Sequence, residues 1–347
     1  LNETWDHPLP MQTHVTLTYV RIVKLDQVEQ VMRVIAEIRY VWSDYRLRWN
    51  PAEYGGIEYF YINRARIWMP EITVANSESS SDAVPEYKQN ALVNHTGHVL
   101  FYNNVLSNSV CQLETTNFPF DDQRCEFCLL ETLFNKNESK VVAELGDRMK
   151  KQIFKTGNGE WDVLNISINR FMFPEYHRVE FDLICYQFEV RRKSNFYVMV
   201  IIIPTFIITT LSITGIFGKR LTSEDYIGEL SLGLTSLMTM TVMLGIVADS
   251  LPKTNHLPVL SIFLTIDVSL MAVAVLIVIM HPRVIYPRYR KIRSKVFRLE
   301  DSPEEDAKEH CCWPRKYRTA NLIFMLLFQL VFQAINLANL YYILSFW

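Results

Sequence analysis

The most informative segment of the chain runs between two cysteines and reads Cys111-Gln-Leu-Glu-Thr-Thr-Asn-Phe-Pro-Phe-Asp-Asp-Gln-Arg-Cys125. Thirteen residues separate the two cysteines, and the loop that a disulfide between them would close has an apolar tip, Phe118-Pro119-Phe120, followed by Asp121. A closed loop with such a tip is suited to docking on another part of the protein. Because long apolar runs begin at residue 196, we expect the tip to press on the part of the chain that begins there.

Four nearly uncharged runs follow the loop. They lie at 196–217, 230–248, 257–280 and 320–346. Each is long enough to cross a bilayer as a helix, which needs about 20 residues. The chain before residue 196 has no such run and shows alternating apolar residues broken by Pro, Gly and Asn, which indicates strands. We therefore expect an all-β domain over 1–193, transmembrane helices one to three over 194–280, a cytoplasmic segment over 281–318 and a fourth transmembrane helix over 319–347.

Charge and sequon placement predict which side of the membrane each part occupies. The balance of 35 Lys and Arg against 37 Asp and Glu argues against a nucleic-acid partner. Four glycosylation sequons and four of the six cysteines fall before the first apolar run, which favours an oxidising, extracellular location. The basic stretch over 288–298 predicts that the segment after the third run is cytoplasmic; its alternative role is binding lipid head groups or a partner. We expect a multi-pass plasma-membrane protein with its N-terminal domain outside. The sequons are Asn2, Asn94, Asn137 and Asn165.

The loop and several other motifs resemble one known family. Four cysteines in the first domain permit three disulfide pairings. The spacing of Cys111 and Cys125 and the Phe-Pro-Phe-Asp interior resemble the signature of the Cys-loop family of pentameric ligand-gated ion channels. The resemblance covers nearly the whole chain. Its other motifs are Trp42-Ser43-Asp44-Tyr45-Arg46-Leu47-x-Trp49-Asn50, Trp68-x-Pro70 before Asn76, Gly159-Glu160-Trp161-Asp162, Arg191-Arg192 before the first run and Pro204 inside it.

This resemblance implies the architecture. The expected fold is a β plus α membrane protein, with an immunoglobulin-like β-sandwich outside, four membrane helices per subunit and five subunits around a pore. The resemblance also implies the Cys111–Cys125 disulfide. Cys128 and Cys185 match strands that are neighbours in the family, so we predict a second disulfide between them; the alternative is two buried free thiols.

The second apolar run has the composition of a pore helix. Ser231, Thr235, Met238, Val242 and Asp249 fall on one stripe at about 100° per residue, all within about 40° of Ser231. Five copies would surround a water-filled path, to which Asp249 and Glu229 add acidic rings. The alternative is a hydroxyl stripe that packs against another helix.

Two further positions in this run bear on conduction. Anion-conducting members of the family resemble one another in a Pro-Ala-Arg type sequence at the inner mouth, where this chain reads Asp225-Tyr226-Ile227-Gly228-Glu229. We therefore expect the permeant ions to be cations, although Glu229 stands one place from the family's usual glutamate. Met238 occupies the mid-pore position that is usually Leu, and a ring of Met is still apolar enough to gate by dewetting.

Gating is expected to use three segments that the resemblance places at the membrane boundary. These are the Phe118-Pro119-Phe120 tip, the turn that follows Asp26, and the linker over 251–258, which ends at Pro258. Arg192 precedes the first run directly and is expected to pair with Asp121 or Asp26, which would couple the two parts of the chain. The alternative is that Arg192 is only a head-group anchor.

The ligand site departs from the family. Members bind amines between neighbouring subunits in a box of aromatic side chains, but Thr132, Ala75 and Glu37 stand where three of those aromatics are expected. We therefore predict a small extracellular ligand other than acetylcholine or serotonin, such as an amino acid, a divalent ion or a proton. The alternatives are ordinary surface residues, or a degenerate site in a subunit that works beside others, so that the pentamer is homomeric or heteromeric. The candidate ligand-binding residues are Glu37, Arg39, Ala75, Asn76, Leu100, Tyr102, Thr132, Phe173, Tyr176 and Phe181.

Catalytic chemistry is not indicated. The sequence has no metal-ligand spacing, nucleophile elbow or phosphate loop, so we expect neither an enzyme nor a cofactor or metal. A membrane-anchored binding module that does not conduct is the competing interpretation. Asp267, inside the third run, is expected to face protein or water rather than lipid.

Overall fold

The computed structural model describes residues 11–131, 139–172, 182–217, 223–251, 256–296 and 315–347. The chain forms two compact units. The first unit, here called the β-unit, is Leu1–Thr115 with Phe120–Lys193, and the second, here called the helical unit, is Thr116–Pro119 with Ser194–Trp347. Phe118 and Pro119 of the loop tip therefore belong to the helical unit, whereas Phe120 and most of the rest of the Cys111–Cys125 loop belong to the β-unit.

The described part of the β-unit is built from eleven strands, one short α-helix, α1 (Asp147–Lys151), and several single turns of 3-10 helix. The strands are β1 (Met11–Asp26), β2 (Val31–Ser43), β3 (Tyr59–Asn63), β4 (Ile72–Val74), β5 (Ser77–Asp82), β6 (Asn90–Asn94), β7 (His98–Val110), β8 (Asp122–Glu131), β9 (Ser139–Leu145), β10 (Trp161–Met172) and β11 (Asp182–Arg192). One sheet has the order β3-β6-β7-β2-β1-β9, with β5 also pairing β7, and the other has the order β10-β11-β8-β4.

Alternating side chains explain why these segments form a two-sheet sandwich. Along β2, Ala36, Ile38, Tyr40 and Trp42 are buried and the residues between them point outward, as a half-buried strand requires. One continuous core joins these residues to Phe127 and other side chains of the second sheet. The expected β-sandwich is therefore the observed fold.

Two disulfides hold the second sheet. Cys111 and Cys125 are bonded with a Cα–Cα distance of 5.1 Å, and Cys128 and Cys185 are bonded with a Cα–Cα distance of 4.0 Å. Cys128 and Cys185 lie directly opposite each other on β8 and β11, so neither is the free thiol of the alternative interpretation. Glu126 lies close to both sulfurs, but a disulfide offers no thiolate to a metal ion.

The helical unit contains four segments that are long and apolar enough to cross a membrane. They are Asn195–Ile216, Gly228–Asp249, Val259–Met280 and Ile323–Leu344, here called the first to fourth spans. The first span comprises α2 (Asn195–Tyr197), a π-helical turn (Val198–Ile202) and α3 (Ile203–Ile216); the others belong to α4 (Ser223–Asp249), α5 (Val259–Val296) and α6 (Arg315–Leu344).

A proline accounts for the irregular start of the first span. Pro204 has no N–H, so the helix loses one backbone hydrogen bond at this point. The hydroxyl of Thr205 donates to the carbonyl oxygens of Ile201 (2.8 Å) and Ile202 (3.0 Å), which are exposed by the π-helical turn. The Thr205 hydroxyl thus adds hydrogen bonds to two carbonyl groups next to the proline.

Close packing fixes the rotation of the second span. A Cβ atom added at Gly233 would lie 2.5 Å from Val275 Cγ2 and 3.2 Å from Ile216 Cδ1, so this face of α4 touches the first and third spans without room for a side chain. The hydroxyls of Ser236 and Ser212 also lie 2.6 Å apart across the same interface. The opposite face of α4 is consequently turned away from the unit.

We predict that Gly233→Val destabilises the helical unit by about 1–3 kcal/mol, because the β-branched Val275 must move to admit the new side chain. Gly228→Val is the control, since no atom lies within 4 Å of a Cβ built at Gly228. Thermal unfolding of the purified full chain checks this. Equal losses for the two variants would contradict the packing described here.

Candidate functional site

Four of the predicted ligand residues share the outer face of the first sheet. Arg39 on β2 is paired with Tyr102 on β7, and Leu100 is paired with the β2 residue two positions after Arg39. Glu37 lies two positions before Arg39, so its side chain projects to the same side. Tyr102 is 47% exposed. The strand register thus brings Glu37, Arg39, Leu100 and Tyr102 together.

The two charged residues of this face differ in whether their polar atoms have hydrogen-bond partners. Glu37 accepts a hydrogen bond from the hydroxyl of Thr18 at 2.7 Å. Arg39 donates from Nη2 to the hydroxyl of Thr16 at 3.1 Å, while its buried Nε has no hydrogen-bond partner among the described residues. A guanidinium with a spare donor is suited to binding a carboxylate or another oxygen acceptor.

Asn76 holds a strand of the second sheet. Its Nδ2 donates to the carbonyl oxygen of Glu126 (2.8 Å), and its Oδ1 accepts from the backbone N–H of Cys128 (3.0 Å). Both ends of the amide therefore contact strand β8, and binding of a ligand by Asn76 stays a prediction. Ala75 is exposed beside it, at the end of β4, and its backbone N–H donates to the carbonyl of Cys128.

Several predicted positions lie outside the described residues. These are the ligand candidates Thr132, Phe173, Tyr176 and Phe181 and the sequon residues Asn2 and Asn137. Of the other sequon residues, Asn165 is exposed on β10 and Asn94 is half-buried at the end of β6. Glycosylation of these four residues stays a prediction.

A buried ion pair lies at the end of β11. Arg192 donates from Nε to Asp121 Oδ1 (2.7 Å) and from Nη2 to Asp121 Oδ2 (3.1 Å), and its Nη1 donates to Glu160 Oε1 (2.6 Å). The guanidinium carbon stands 4.1 Å above the ring of Trp161. The side chains of Arg192 and Asp121 are 0% and 1% exposed, which excludes the head-group anchor.

Asp26 is not a partner of Arg192. Its carboxylate accepts from Lys24 and from the backbone N–H groups of Val28 and Glu29, and the adjacent Lys24 ammonium lowers the pKa of the carboxyl. The turn reaches Arg192 through the next residue instead. With the amide of Gln27 oriented to satisfy both of its ends, its oxygen accepts from Arg192 Nη1 at 2.7 Å.

An exposed ion pair lies beside the buried one. Arg191 donates from Nε and Nη2 to the two carboxylate oxygens of Asp122, each at 2.8 Å, and both side chains are more than half exposed. The hydrogen bond from Arg191 lowers the pKa of the Asp122 carboxyl. Consecutive residues thus form two bidentate pairs that differ mainly in their contact with water.

The loop tip caps the start of the third span. The backbone N–H groups of Val259 and Leu260, at the first turn of α5, donate to the carbonyl oxygens of Thr116 (3.0 Å) and Phe118 (3.2 Å). The first N–H groups of a helix have no acceptor within the helix, so the loop supplies the carbonyl acceptors that the first turn of α5 lacks. The ring of Phe118 is buried, with its centroid 4.8 Å from that of Tyr197 in the first span.

Two other gating positions flank this contact. Pro258 precedes Val259, is buried, and accepts the backbone N–H of Ile262. Residues 252–255 of the linker lie outside the described residues. The predicted meeting of the Asp26 turn with this linker stays a prediction, as does a role of Phe120 in it.

The second span exposes the predicted stripe. Ser231, Thr235, Met238, Val242 and Asp249 are all exposed on α4, and Met238 reaches 71%. Ile246, which the sequence interpretation did not include, is exposed near the same face. The hydroxyl of Thr235 donates to the carbonyl of Ser231 one turn earlier, so no other helix of the described unit holds it.

Glu229 does not belong to this stripe. It is 8% exposed and lies about 160° around the helix from Ser231, toward the interior of the helical unit. Glu229 therefore lies off the stripe, because two residues along an α-helix nearly reverse the direction of a side chain, and its predicted acidic ring at the pore stays a prediction.

Polar residues of the fourth span were missed by the sequence interpretation. Gln333, Asn336 and Asn339 recur every three residues on one face of α6, and Gln333 donates to the carbonyl of Thr210 in the first span. The spacing was a sufficient signal, since polar residues at this interval share a helix face. Asp267, which was expected to face protein, contacts Asn339.

Comparison with known proteins agrees with this geometry. Residues 3–194 match the model of the neurotransmitter-gated ion-channel ligand binding domain. The chain is 28% identical over 275 residues to the acetylcholine receptor subunit beta-type unc-29 of Caenorhabditis elegans, covering 78% of this chain and 52% of that protein. It is 29% identical to the acetylcholine receptor subunit beta-like 1 of Drosophila melanogaster, covering 76% and 50%.

A relative with a different printed name is the proton-gated ion channel subunit pbo-6 of Caenorhabditis elegans. It is 25% identical over 259 residues, covering 74% of this chain and 60% of that protein. The chain spans about half the length of the curated relatives it matches. By their names these relatives are receptor and channel subunits rather than enzymes.

We predict that Asp121→Asn destabilises the β-unit by about 3–5 kcal/mol, because it leaves the Arg192 guanidinium buried without its counter-charge. Asp122→Asn is the matched control and costs at most about 1 kcal/mol, since its pair with Arg191 is exposed to water. Thermal unfolding and cell-surface expression of the full chain separate the two variants. A loss as small for Asp121→Asn as for Asp122→Asn would show that the burial of the pair carries no cost.

Proposed function

Because the chain belongs to the family of neurotransmitter-gated ion channels, through the ligand-binding domain that it carries over residues 3–194, we propose that it is a subunit of a pentameric, ligand-gated cation channel. Five subunits, of one kind or mixed, surround the pore. We assign 1–193 to the extracellular side and 281–318 to the cytoplasm. The four spans and the receptor-type domain fit a multi-pass plasma-membrane protein.

The exposed stripe of the second span carries this proposal. Its side chains are polar or adaptable, face away from the helical unit, and repeat along the length of α4. The opposite face is packed so closely, at Gly233 and Ser236, that the helix has only one rotation consistent with the unit. Hydroxyls on the free face of a membrane helix are suited to a water-filled path rather than to lipid.

Charge supports the selectivity for cations. Asp249 ends the stripe as an exposed carboxylate, and the sequence of α4 contains neither Lys nor Arg. Five copies place a ring of acidic side chains at one mouth of the pore, which attracts cations and repels anions. Glu229 lies behind the stripe, on the opposite face of α4, and is not part of the stripe.

The positions of Asp121 and Arg192 along the chain support the coupling role of Arg192. Asp121 directly follows the loop tip, and Arg192 lies three positions before the start of the first span. The buried pair therefore ties together two of the places where the chain passes between the β-unit and the helical unit. A ligand-induced shift of the second sheet acts on both places at once, because separating the pair would strand a buried charge.

The proposed ligand is a small polar molecule with a carboxylate, such as an amino acid. Arg39 is half-buried on the outer face of the first sheet, and Tyr102, paired with it across the strands, has an exposed ring. Ala75 directly follows β4 of the other sheet. We therefore assign Ala75, together with the ligand candidates outside the described residues, to a separate half-site, which a neighbouring subunit completes. Quaternary amines are disfavoured because Glu37 and Ala75 replace two aromatic rings.

We predict that currents through the assembled channel reverse at a potential that follows the sodium gradient and does not follow chloride. Asp249→Asn lowers the single-channel cation conductance by removing the acidic ring, while Asp147→Asn, an exposed carboxylate of α1 in the β-unit, leaves it unchanged. Voltage clamp with ion replacement checks both expectations. A reversal potential that tracks chloride overturns the selectivity.

We predict that Arg39→Met raises the half-maximal ligand concentration about 10- to 100-fold, as expected for loss of a hydrogen bond to a charged group. Arg33→Met is the matched control, because Arg33 lies on the same face of β2 and pairs with the exposed Glu29. A panel of amino acids, protons, divalent ions and amines identifies the ligand first. Activation by acetylcholine with full efficacy, unaffected by Arg39→Met, contradicts the proposed site.

A second function is favoured by the missing aromatic residues at 37 and 75. A subunit that lacks these aromatic residues of the family's ligand site fits an accessory role beside subunits that carry them. Expression of the chain alone and together with a related subunit distinguishes the two functions: currents only on co-expression favour the accessory role.

A further inference from the structure

Two exposed tyrosines lie on an edge strand of the first sheet. Strand β3 ends that sheet and, among the described residues, pairs only with β6. Tyr59 and Tyr61 are 60% and 69% exposed. The residues of β3 that alternate with them are paired with Val93 and Ala91, which are fully buried, so the two tyrosines project from the opposite, outer face. The function proposed above uses neither tyrosine.

An edge strand of this kind is normally protected. It presents backbone N–H and C=O groups without a neighbouring strand, and large exposed rings beside them favour association with other chains. Proteins commonly block such association with Lys, Pro or other charged residues in the edge strand. The strand Tyr59–Asn63 contains no Pro and no charged residue. We therefore expect another group to cover its outer face.

A glycosylation sequon stands directly beside the tyrosines. Asn94, which begins the sequon Asn94-His95-Thr96, is the β6 residue paired with Tyr59. Directly opposite residues of an antiparallel pair carry their side chains on the same face, with Cβ atoms about 5 Å apart. Tyr61 lies two residues further along β3, about 7 Å from Tyr59 on that face. The acceptor asparagine and both rings thus share one surface.

The turn after β6 holds the acceptor in a defined position. The backbone N–H of Gly97 donates to the carbonyl oxygen of Asn94 at 2.8 Å, which closes a tight turn. Gly97 has a φ of 83°, and a Cβ atom added there would clash with the carbonyl oxygen of Asp44. The side-chain oxygen of Asn94 accepts from the backbone N–H of Thr96 at 3.5 Å, while its Nδ2 has no hydrogen-bond partner among the described residues. This nitrogen is the atom that glycosylation modifies.

Asn165, the other sequon residue within the described residues, has no such surface beside it. It is exposed on β10, and its partner across the strands is Glu189 rather than an aromatic residue. Asn165 therefore serves as an internal reference for Asn94 in the same protein.

We propose that Asn94 carries an N-linked glycan and that Tyr59 and Tyr61 form the surface on which its first two sugars, both N-acetylglucosamine, dock. In the transfer, Nδ2 of Asn94 attacks the anomeric carbon of a lipid-linked oligosaccharide. The N–C bond forms, the bond from that carbon to the diphosphate oxygen breaks, the lipid diphosphate leaves, and a base of the transferase takes one proton from Nδ2. The C–H groups of the sugars then pack on the electron-rich faces of the tyrosine rings.

The proposal goes beyond the channel function and rests only on the extracellular location proposed for 1–193. A docked glycan would cover the outer face of β3 and keep this edge from pairing with other chains. It would also remain outside the outward-facing ligand candidates on β2 and β7, because β6 separates β3 from β7 in the sheet.

Glycopeptide mass spectrometry of the full chain purified from animal cells tests the modification. Asn94 is expected to be occupied in the parent and in Thr96→Ser, which keeps the sequon, and bare in Thr96→Ala, which removes it. Among the described residues, only backbone atoms of Thr96 are hydrogen-bonded, so both variants are expected to fold. A bare Asn94 in the parent overturns the proposal, and a glycan on Asn165 in that sample would show that the extracellular location stands on its own.

Thermal unfolding of the same proteins in lipid nanodiscs tests the docking. Thr96→Ala is expected to unfold about 2–4 °C below Thr96→Ser, as for the loss of a weak contact in a domain of this size. With Tyr59→Thr and Tyr61→Thr also present, this difference is expected to vanish, because the sugars then have no rings to contact. Tyr19→Thr is the control background and is expected to keep the difference, since Tyr19 is exposed on the outer face of β1, four strands from β3.

A second readout does not depend on stability. A docked glycan is shielded from processing enzymes, so replacing both tyrosines is expected to raise the share of fully processed glycans on Asn94 and to leave Asn165 unchanged. The proposal is overturned if the difference between Thr96→Ala and Thr96→Ser is the same with and without the two tyrosines and if processing at Asn94 does not respond to them. The rings would then cover a partner protein or a second copy of this chain. Neither readout depends on conduction.

Discussion

A polar side chain within a membrane span must contact water or another polar group, and this constraint organises the helical unit. It separates the polar residues of the spans into two populations. Ser231, Thr235 and Asp249 are exposed on one face of α4, where the Thr235 hydroxyl also bonds the carbonyl oxygen of Ser231 and where the Asp249 carboxylate requires water once the helix is in a membrane. Asp267, Asn336 and Asn339 are instead buried among the first, third and fourth spans, where they satisfy one another in part.

A second consequence of the same physics appears in the β-unit. Arg192 and Asp121 are removed from water as completely as Asp267, but they form a bidentate pair that Glu160 and Trp161 complete. Such a pair gains little stability over an apolar contact, yet it is costly to separate. Within the helical unit, the Cys111–Cys125 loop caps α5 through the carbonyl oxygens of Thr116 and Phe118.

Much of this arrangement could be predicted from the sequence, because it depends on patterns of short range. The period of two along β2, the apolar length of the spans and the stripe on α4 each follow from the spacing of residues within one element. The sandwich as a whole came from the family resemblance. The sequence left alternatives open where a role depends on a partner far along the chain. Between Asp121 and Asp26 as the partner of Arg192, the structure selects Asp121, and Gln27 is the residue of the Asp26 turn in contact with the guanidinium.

Whether the chain functions as a channel subunit depends on which face of the second span meets water in the assembled protein. Labelling of single cysteines by a charged, water-soluble thiol reagent measures this directly in nanodiscs, with Cys311 and Cys312 first replaced by serine. We expect fast labelling of Thr235→Cys and Met238→Cys. We expect no labelling of Ser236→Cys and Met240→Cys, because both positions are buried in the helical unit. Fast labelling at 236 and 240 with none at 235 and 238 would contradict it.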